Sequence, residues 1–476
     1  MDVDVQQLRR LSRCHWAFLA VLSLGISLRV LAQIAYWPAL FYSDSWEYVK
    51  LAFSGPFVEF GVDRPSGYPL LIHLLLRFGR EPATLTIVQH LAGLATGTVA
   101  YLFLVKLRVR PWLAAAAAAV ILLDSYAIAL EQYVMAETFF TLALLLCAVV
   151  LVLRGDHPLP LAASGLLLAG AVTLRLAAAF AIPAFLAYVV FKLRRPRLVA
   201  TALAAFALPL LGYAAIHAAH GRGFGFTQTG SYALYGRIAP IADCRGAAIP
   251  AEARRLCETD AERARGWAPS QYVFSTASPA RRLLGWDTSP ADQRVLREFS
   301  WAIVRHRPLA YLDMVSSDFI RFFEPGGPGV DPPLLFASRH SFRWESRLPA
   351  RKLRAAYLPD YRRHVREPSG FLQAYQRWFH TPRWLMGALS LAILLLTLGA
   401  TRAPRRDDDS RRRHAAYLFG GMGLSLLVGT VATVELTVRF MVPAVPLLVC
   451  GGTLALVELA STWSPVRVGT VARTGA

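Results

Sequence analysis

The chain has 476 residues, 55% of them hydrophobic, and a mean hydropathy of +0.40, more apolar than a soluble domain of ordinary composition, so a wholly soluble protein is excluded. Its formal charge of +20 is almost entirely arginine, lysine standing only at 50, 106, 192 and 352. Those charges are not gathered beside stacking aromatics on one soluble face, which argues against a nucleic-acid binder, and alanine runs such as Ala114 to Ala119 point to a GC-rich coding bias behind part of the arginine excess.

Apolar runs long enough to cross about 30 Å of hydrocarbon as helices fall at 15–36, 84–105, 112–130, 134–153, 158–175, 176–192, 198–217, 383–400, 415–434 and 440–461. The expected fold is therefore an all-α polytopic membrane protein of about ten transmembrane helices. The first run follows Arg9, Arg10 and Arg13 but is too long for a removed signal and lacks a small-residue cleavage site, so it is expected to be retained. Basic residues in short loops mark the cytoplasmic side. Lys106 to Arg110, Arg154, Lys192 to Arg197 and Arg402 to Arg413 share one side if both termini are cytoplasmic. Residues 1–217 then form an N-terminal module of about seven helices with a first outer loop at 37–83, residues 218–382 a long extracytoplasmic loop, and residues 383–476 the last helices and a cytoplasmic tail.

In the first outer loop, Ser45 to Phe53 and Tyr68 to Phe78 read as amphipathic helices lying along the membrane surface. The second outer segment opens on a Gly-rich stretch at Gly221 to Gly225, which lacks the strand-helix context of a nucleotide loop, and later carries helical patterns near 291–306 and 308–323. It holds 24 basic against 15 acidic residues, a field that draws anionic substrates. Cys14, Cys147 and Cys450 fall in spans as small hydrophobes, whereas Cys244 and Cys257 lie in the outer segment, where an oxidising compartment permits a disulfide. No His/Cys spacing suggests a metal.

Charges near membrane depth are functional candidates, because each costs a few kcal/mol on insertion. Glu131, Glu137, Arg175, Glu435 and Arg439 all fall near the outer ends of spans, while Asp124 reads as a turn residue. The stretch Phe41-Tyr-Ser-Asp-Ser-Trp-Glu-Tyr48, followed by Asp63-Arg-Pro-Ser-Gly-Tyr-Pro69, brings carboxylates, aromatics and an arginine together directly after the first span.

This order of motifs resembles the GT-C fold glycosyltransferases that use polyprenyl-phosphate-linked sugars, a superfamily that includes protein O-mannosyltransferases and the aminoarabinose transferase of lipid A. In that family a catalytic aspartate follows the first helix, as at Asp44, and an acid-base-proline motif ends in an aromatic, as at Asp63, Arg64 and Tyr68. Met135-Ala-Glu-Thr138, Arg175 and Arg439-Phe-Met-Val-Pro-Ala-Val-Pro446 are similar to further family patches, and Leu234 to Cys244, with Arg237, resembles actinobacterial members. One departure is the spacing of Asp44 from Glu47, which the mannosyltransferases often place adjacent.

The resemblance implies an inverting, plasma-membrane glycosyltransferase moving a sugar from a polyprenyl-phosphate carrier to a cell-envelope glycan, lipid or protein hydroxyl, with no metal demanded. Asp44 would be the catalytic base, Arg64 and Arg175 would hold the donor phosphate, and Glu47, Asp63, Tyr68, Glu131, Glu137, Arg237 and Arg439 would surround donor and acceptor. Two other classes fit less of the pattern. A transporter or flippase of a lipid-linked or anionic substrate would place its site near the midplane between repeated halves, and a scaffold would be indifferent to Asp44.

Overall fold

The computed structural model describes the backbone of residues 5–463 apart from positions 43, 56, 58, 59, 62, 63, 80, 156, 194, 287, 288, 325–343, 345–354, 360, 363 and 400–406. It is 76% helical and, among the described residues, holds no strand, only one parallel bridge between Leu40 and Tyr133.

The chain begins with α1 (Val5–Ala35) and, after a short turn, two short helices, α2 (Ser45–Ser54) and α3 (Gly67–Leu75). Helices α4 (Pro82–Lys106), α5 (Pro111–Leu122), α6 (Ser125–Gln132), α7 (Glu137–Arg154), α8 (Pro158–Leu174), α9 (Ile182–Lys192) and α10 (Pro196–Ala219) follow. The segment 218–382, expected to be the outer one, contributes α11 (Gly230–Ile238), α12 (Asp260–Arg263), α13 (Pro269–Phe274), α14 (Pro279–Leu284), α15 (Pro290–His306) and α16 (Pro308–Arg321). The chain returns through α17 (Ser369–Trp378), α18 (Arg383–Leu398), α19 (Asp407–Thr433), α20 (Val438–Met441) and α21 (Val445–Trp463). Proline opens many of these helices, where its missing N–H costs nothing and its fixed φ suits the first turn.

Among the described residues, six helical stretches are long and apolar enough to cross a membrane, and two bent pairs, α5 with α6 and α17 with α18, raise that to as many as eight if each is one span. The chain is a multi-pass membrane protein. The expected spans at 158–175 and 176–192 are shorter apolar helices, broken at Arg175 by a 3₁₀ turn, Leu176–Ala181. Large apolar side chains such as Leu24, Val30, Leu208 and Leu211 stand exposed on α1 and α10, a surface suited to lipid.

One apolar core joins α4, α5, α7, α8 and α9 to α18, α19 and α21, so the first and last helices pack as one body. The alanines of α5 (Ala114, Ala115, Ala117, Ala118) are buried there and let neighbouring helices approach closely. A second core, including Tyr232, Tyr235, Leu296, Phe299 and Ile303, belongs to the outer segment, where Cys244 and Cys257 are disulfide-bonded. At one end of the bundle Arg411 reaches Leu153 O and Arg412 pairs with Glu458. Helix α7, 18 residues and hence about 27 Å long, separates that basic end from Glu137 at the other.

Helix α3 buries Tyr68, Pro69 and Ile72 and exposes Leu74 beyond them. Helix α2, expected to lay its apolar face on the membrane surface, packs that face on protein instead. Trp46 and Val49 are buried against protein, Trp46 stacking on Phe41 at 4.5 Å, because the returning outer segment lays Tyr361 against Phe41 at 4.8 Å.

Candidate functional site

Asp44 stands at the N-cap of α2, directly after the turn that leaves α1. That turn is pinned from two directions. Leu40 exchanges backbone hydrogen bonds with Gln132 and Val134, and Tyr361 donates its hydroxyl to Ala39 O at 2.8 Å. Asp44 is 6% exposed, and each of its oxygens accepts from an arginine: Oδ1 from Arg64 Nη2 at 2.9 Å and Oδ2 from Arg439 Nη2 at 2.6 Å.

These three residues belong to a longer alternating chain of acid and base. Arg64 also donates to Glu47 at 2.7 Å, Arg439 also donates to Glu137, and Glu137 pairs with Arg175 at 2.8 Å. The order is Glu47, Arg64, Asp44, Arg439, Glu137, Arg175, three carboxylates against three guanidiniums. Burial alone would raise the Asp44 carboxyl, but Arg439, Arg64 and Arg175 overcome it and hold Asp44 well below the usual carboxylate range. Tyr42 lies under Arg439 at 4.9 Å, and Phe440 under Arg175 at 5.6 Å, so the aromatic walls also favour the cations.

Each basic residue sits at or beside a break in regular helix. Arg64 precedes Pro65 and the start of α3, Arg175 has extended backbone between α8 and its 3₁₀ turn, and Arg439 follows the extended Thr437 between α19 and α21. Helix ends leave backbone groups unpaired, and such breaks are tolerated at membrane depth where they line a cavity. Gly67 seats α3 against the end of α8, since a Cβ there would lie 2.5 Å from Thr173 O.

All these breaks open on one cavity of about 490 Å³, within the range of small-molecule sites. Asp44, Glu47, Tyr48, Arg64, Arg175 and Arg439 all line it. Burial pushes the Tyr48 hydroxyl up to about 12, so it remains a hydrogen-bond donor at neutral pH. Leu176, Ala179, Phe180, Val434 and Phe440 add apolar lining, and α11, α13 and α14 with the turn after them contribute Tyr232, Ser270, Arg281 and Trp286.

Several expected site residues are elsewhere. Glu131 is buried with Arg29, which donates at 2.8 and 2.7 Å, and with His90 at 2.8 Å; it does not line the large cavity, because its charge is neutralised within the bundle. Tyr68 donates its hydroxyl to Gln89 at 2.6 Å and is fully buried. Arg237 pairs with Asp318 at 2.7 Å and ties α11 to α16. Glu137 acts through the arginines it holds and touches a separate small cavity instead. Asp63 lies outside the described residues. Asp124 caps α6 by accepting from Ala127 N at 2.8 Å and from Thr381 N at 2.7 Å, as a turn residue should.

Sequence reasoning missed Arg29 and His90, although the cost of charge at membrane depth that singles out Glu131 applies equally to Arg29. It also missed Ser270, Arg281 and Trp286, for which no local signal exists. Among the described residues no group of three or more His, Cys, Asp or Glu side chains is arranged to hold a metal ion. No protein-family model matches the chain, and no curated protein matches it.

Proposed function

We propose that the chain is an inverting glycosyltransferase that takes a sugar from a polyprenyl-phosphate carrier and gives it to an extracytoplasmic hydroxyl. The observation that carries this reading is the meeting of Asp44 with Arg64, Arg439 and Arg175 at the wall of one cavity, beside an apolar surface suited to an isoprenoid. Around that core the full reading has ten spans, both termini in the cytoplasm, and a site facing outward from the plasma membrane.

In the reaction the acceptor oxygen bonds to the anomeric carbon while the bond from that carbon to the carrier phosphate breaks, its electron pair leaving with the phosphate. The acceptor proton passes to the Asp44 carboxylate. A carboxylate offers about four lone-pair sites, and Arg64 and Arg439 each take one, on different oxygens of Asp44. Charge grows on the departing phosphate, and guanidiniums fixed before the reaction stabilise it more in the transition state than in the ground state. Arg175 is best placed for the phosphate: its one ion pair among the described residues is to Glu137, and a guanidinium carries five N–H donors. Arg64 and Arg439 are engaged with carboxylates, so an arriving phosphate competes with Asp44 for them and leaves it more basic.

Membranes holding the protein, incubated with radiolabelled polyprenyl-phosphate mannose or arabinose, should move one label onto an endogenous acceptor with inverted anomeric configuration. Retained configuration would remove Asp44 from the role of base. No transfer of either label, with substrate movement across the bilayer, would favour a transporter instead.

A further inference from the structure

The cavity carries further recognition chemistry beside the charged chain. Ser270 Oγ and Thr437 Oγ1 are each buried, the residues 5% exposed, and have no hydrogen-bond partner among the described residues, yet both residues line the cavity. An unpaired buried hydroxyl costs about 1–3 kcal/mol, so two on one wall mark a place where a ligand supplies the missing bonds. Glu435 lies beside them, accepting from Ser270 N at 3.2 Å and lining the same cavity.

The same cavity is also lined by an aromatic platform. The Arg281 guanidinium sits 3.9 Å from the Tyr232 ring centre and 4.0 Å from that of Trp286, while donating to Val273 O at 2.6 Å and Gly285 O at 3.0 Å. Tyr232 donates to the same Gly285 O at 3.0 Å. Arg281 therefore serves to hold the indole in place, and Trp286 nevertheless remains 55% exposed. An indole that lines a cavity offers a ligand a large flat apolar face.

We infer that Ser270, Thr437, Glu435 and Trp286 form an acceptor subsite for a neutral carbohydrate, which extends the proposed transfer function and rests on it. A sugar ring offers what this surface lacks: a flat C–H face for the indole and hydroxyls at its rim for Ser270, Thr437 and Glu435. The platform is held before the ligand arrives, so little ordering is lost on binding. A peptide serine would satisfy one hydroxyl and leave the indole uncovered. The acceptor of the proposed reaction is then a glycan.

The test is titration of the full-length protein in lipid nanodiscs with short neutral manno-, gluco-, galacto- and arabino-oligosaccharides. At least one series should bind. Trp286→Ala should weaken it about tenfold or more, Trp286→Phe should restore part of the affinity, and Ser270→Ala should weaken it severalfold. Polyprenyl-phosphate binding should be unchanged in all three. Binding of none of the series, unaltered affinity in a folded Trp286→Ala protein, or preference for a serine peptide overturns the subsite. Saccharide binding by a protein that transfers no sugar supports the subsite while removing the transfer reading. Transfer without saccharide binding does the reverse.

Discussion

At the scale of single residues, the decisive feature is that both oxygens of Asp44 are already held by arginines. The folded protein therefore keeps this carboxyl ionised far more strongly than the unfolded chain, whose aspartate titrates near 3.9. A depressed folded value contributes stability above the unfolded pKa, and that contribution is lost as pH falls through the folded value. Activity follows the same logic. The acid limb of kcat/KM, which reports the free enzyme, should show no loss assignable to Asp44 above about pH 4. Arg64→Ala removes one of the opposing charges and should move that limb upward by about 1–3 units. The measurement is kcat/KM against pH for both proteins; an unmoved limb in Arg64→Ala would separate Asp44 from the proton transfer.

At the scale of elements, helix breaks place the chemistry and glycines set how closely the helices approach. Gly93 on α4 is the sharpest case: a Cβ there would lie 1.9 Å from Glu131 Oε1, inside the pair that Glu131 makes with Arg29. Gly93→Ala should push the carboxylate off its partner, and breaking a buried ion pair costs roughly 3–5 kcal/mol. Gly170→Ala on α8, with nothing within 4 Å of its Cβ, should be neutral or stabilise by up to about 1 kcal/mol. Thermal unfolding of the two variants in nanodiscs reads the difference, and equal midpoints would show that the Arg29–Glu131 pair does not order the bundle. Hydropathy made most of these elements legible, because a helix in lipid must be apolar over its whole length. It also reveals α15 and α16, each opened by a proline. It could not reveal that α2 would be roofed by Tyr361, since that contact comes from a segment more than 300 residues away.

At the scale of the whole molecule, the site is made by closing the chain on itself. Asp44 and Arg439 are 395 positions apart, and Glu137 and Arg439 are 302 apart, yet one guanidinium joins both acids. The shared core of first and last helices is what brings them together. Local motifs pointed to Asp44, Arg64, Arg175 and Arg439 as separate candidates. Their alternating order with Glu47 and Glu137 could not be read from any stretch, because pairing at that range depends on how helices pack. The same cause hid the partners of Glu131, Tyr68 and Arg237, which turned candidate ligand contacts into internal ties.

The most direct measurement compares wild type and Asp44→Asn in proteoliposomes, reading donor binding and sugar transfer on the same preparation. Asparagine keeps the shape but loses the charge and the basicity, so transfer should fall by about 10²-fold or more while the protein stays folded and still binds the polyprenyl-phosphate sugar. Transfer at the wild-type rate in Asp44→Asn would contradict the account.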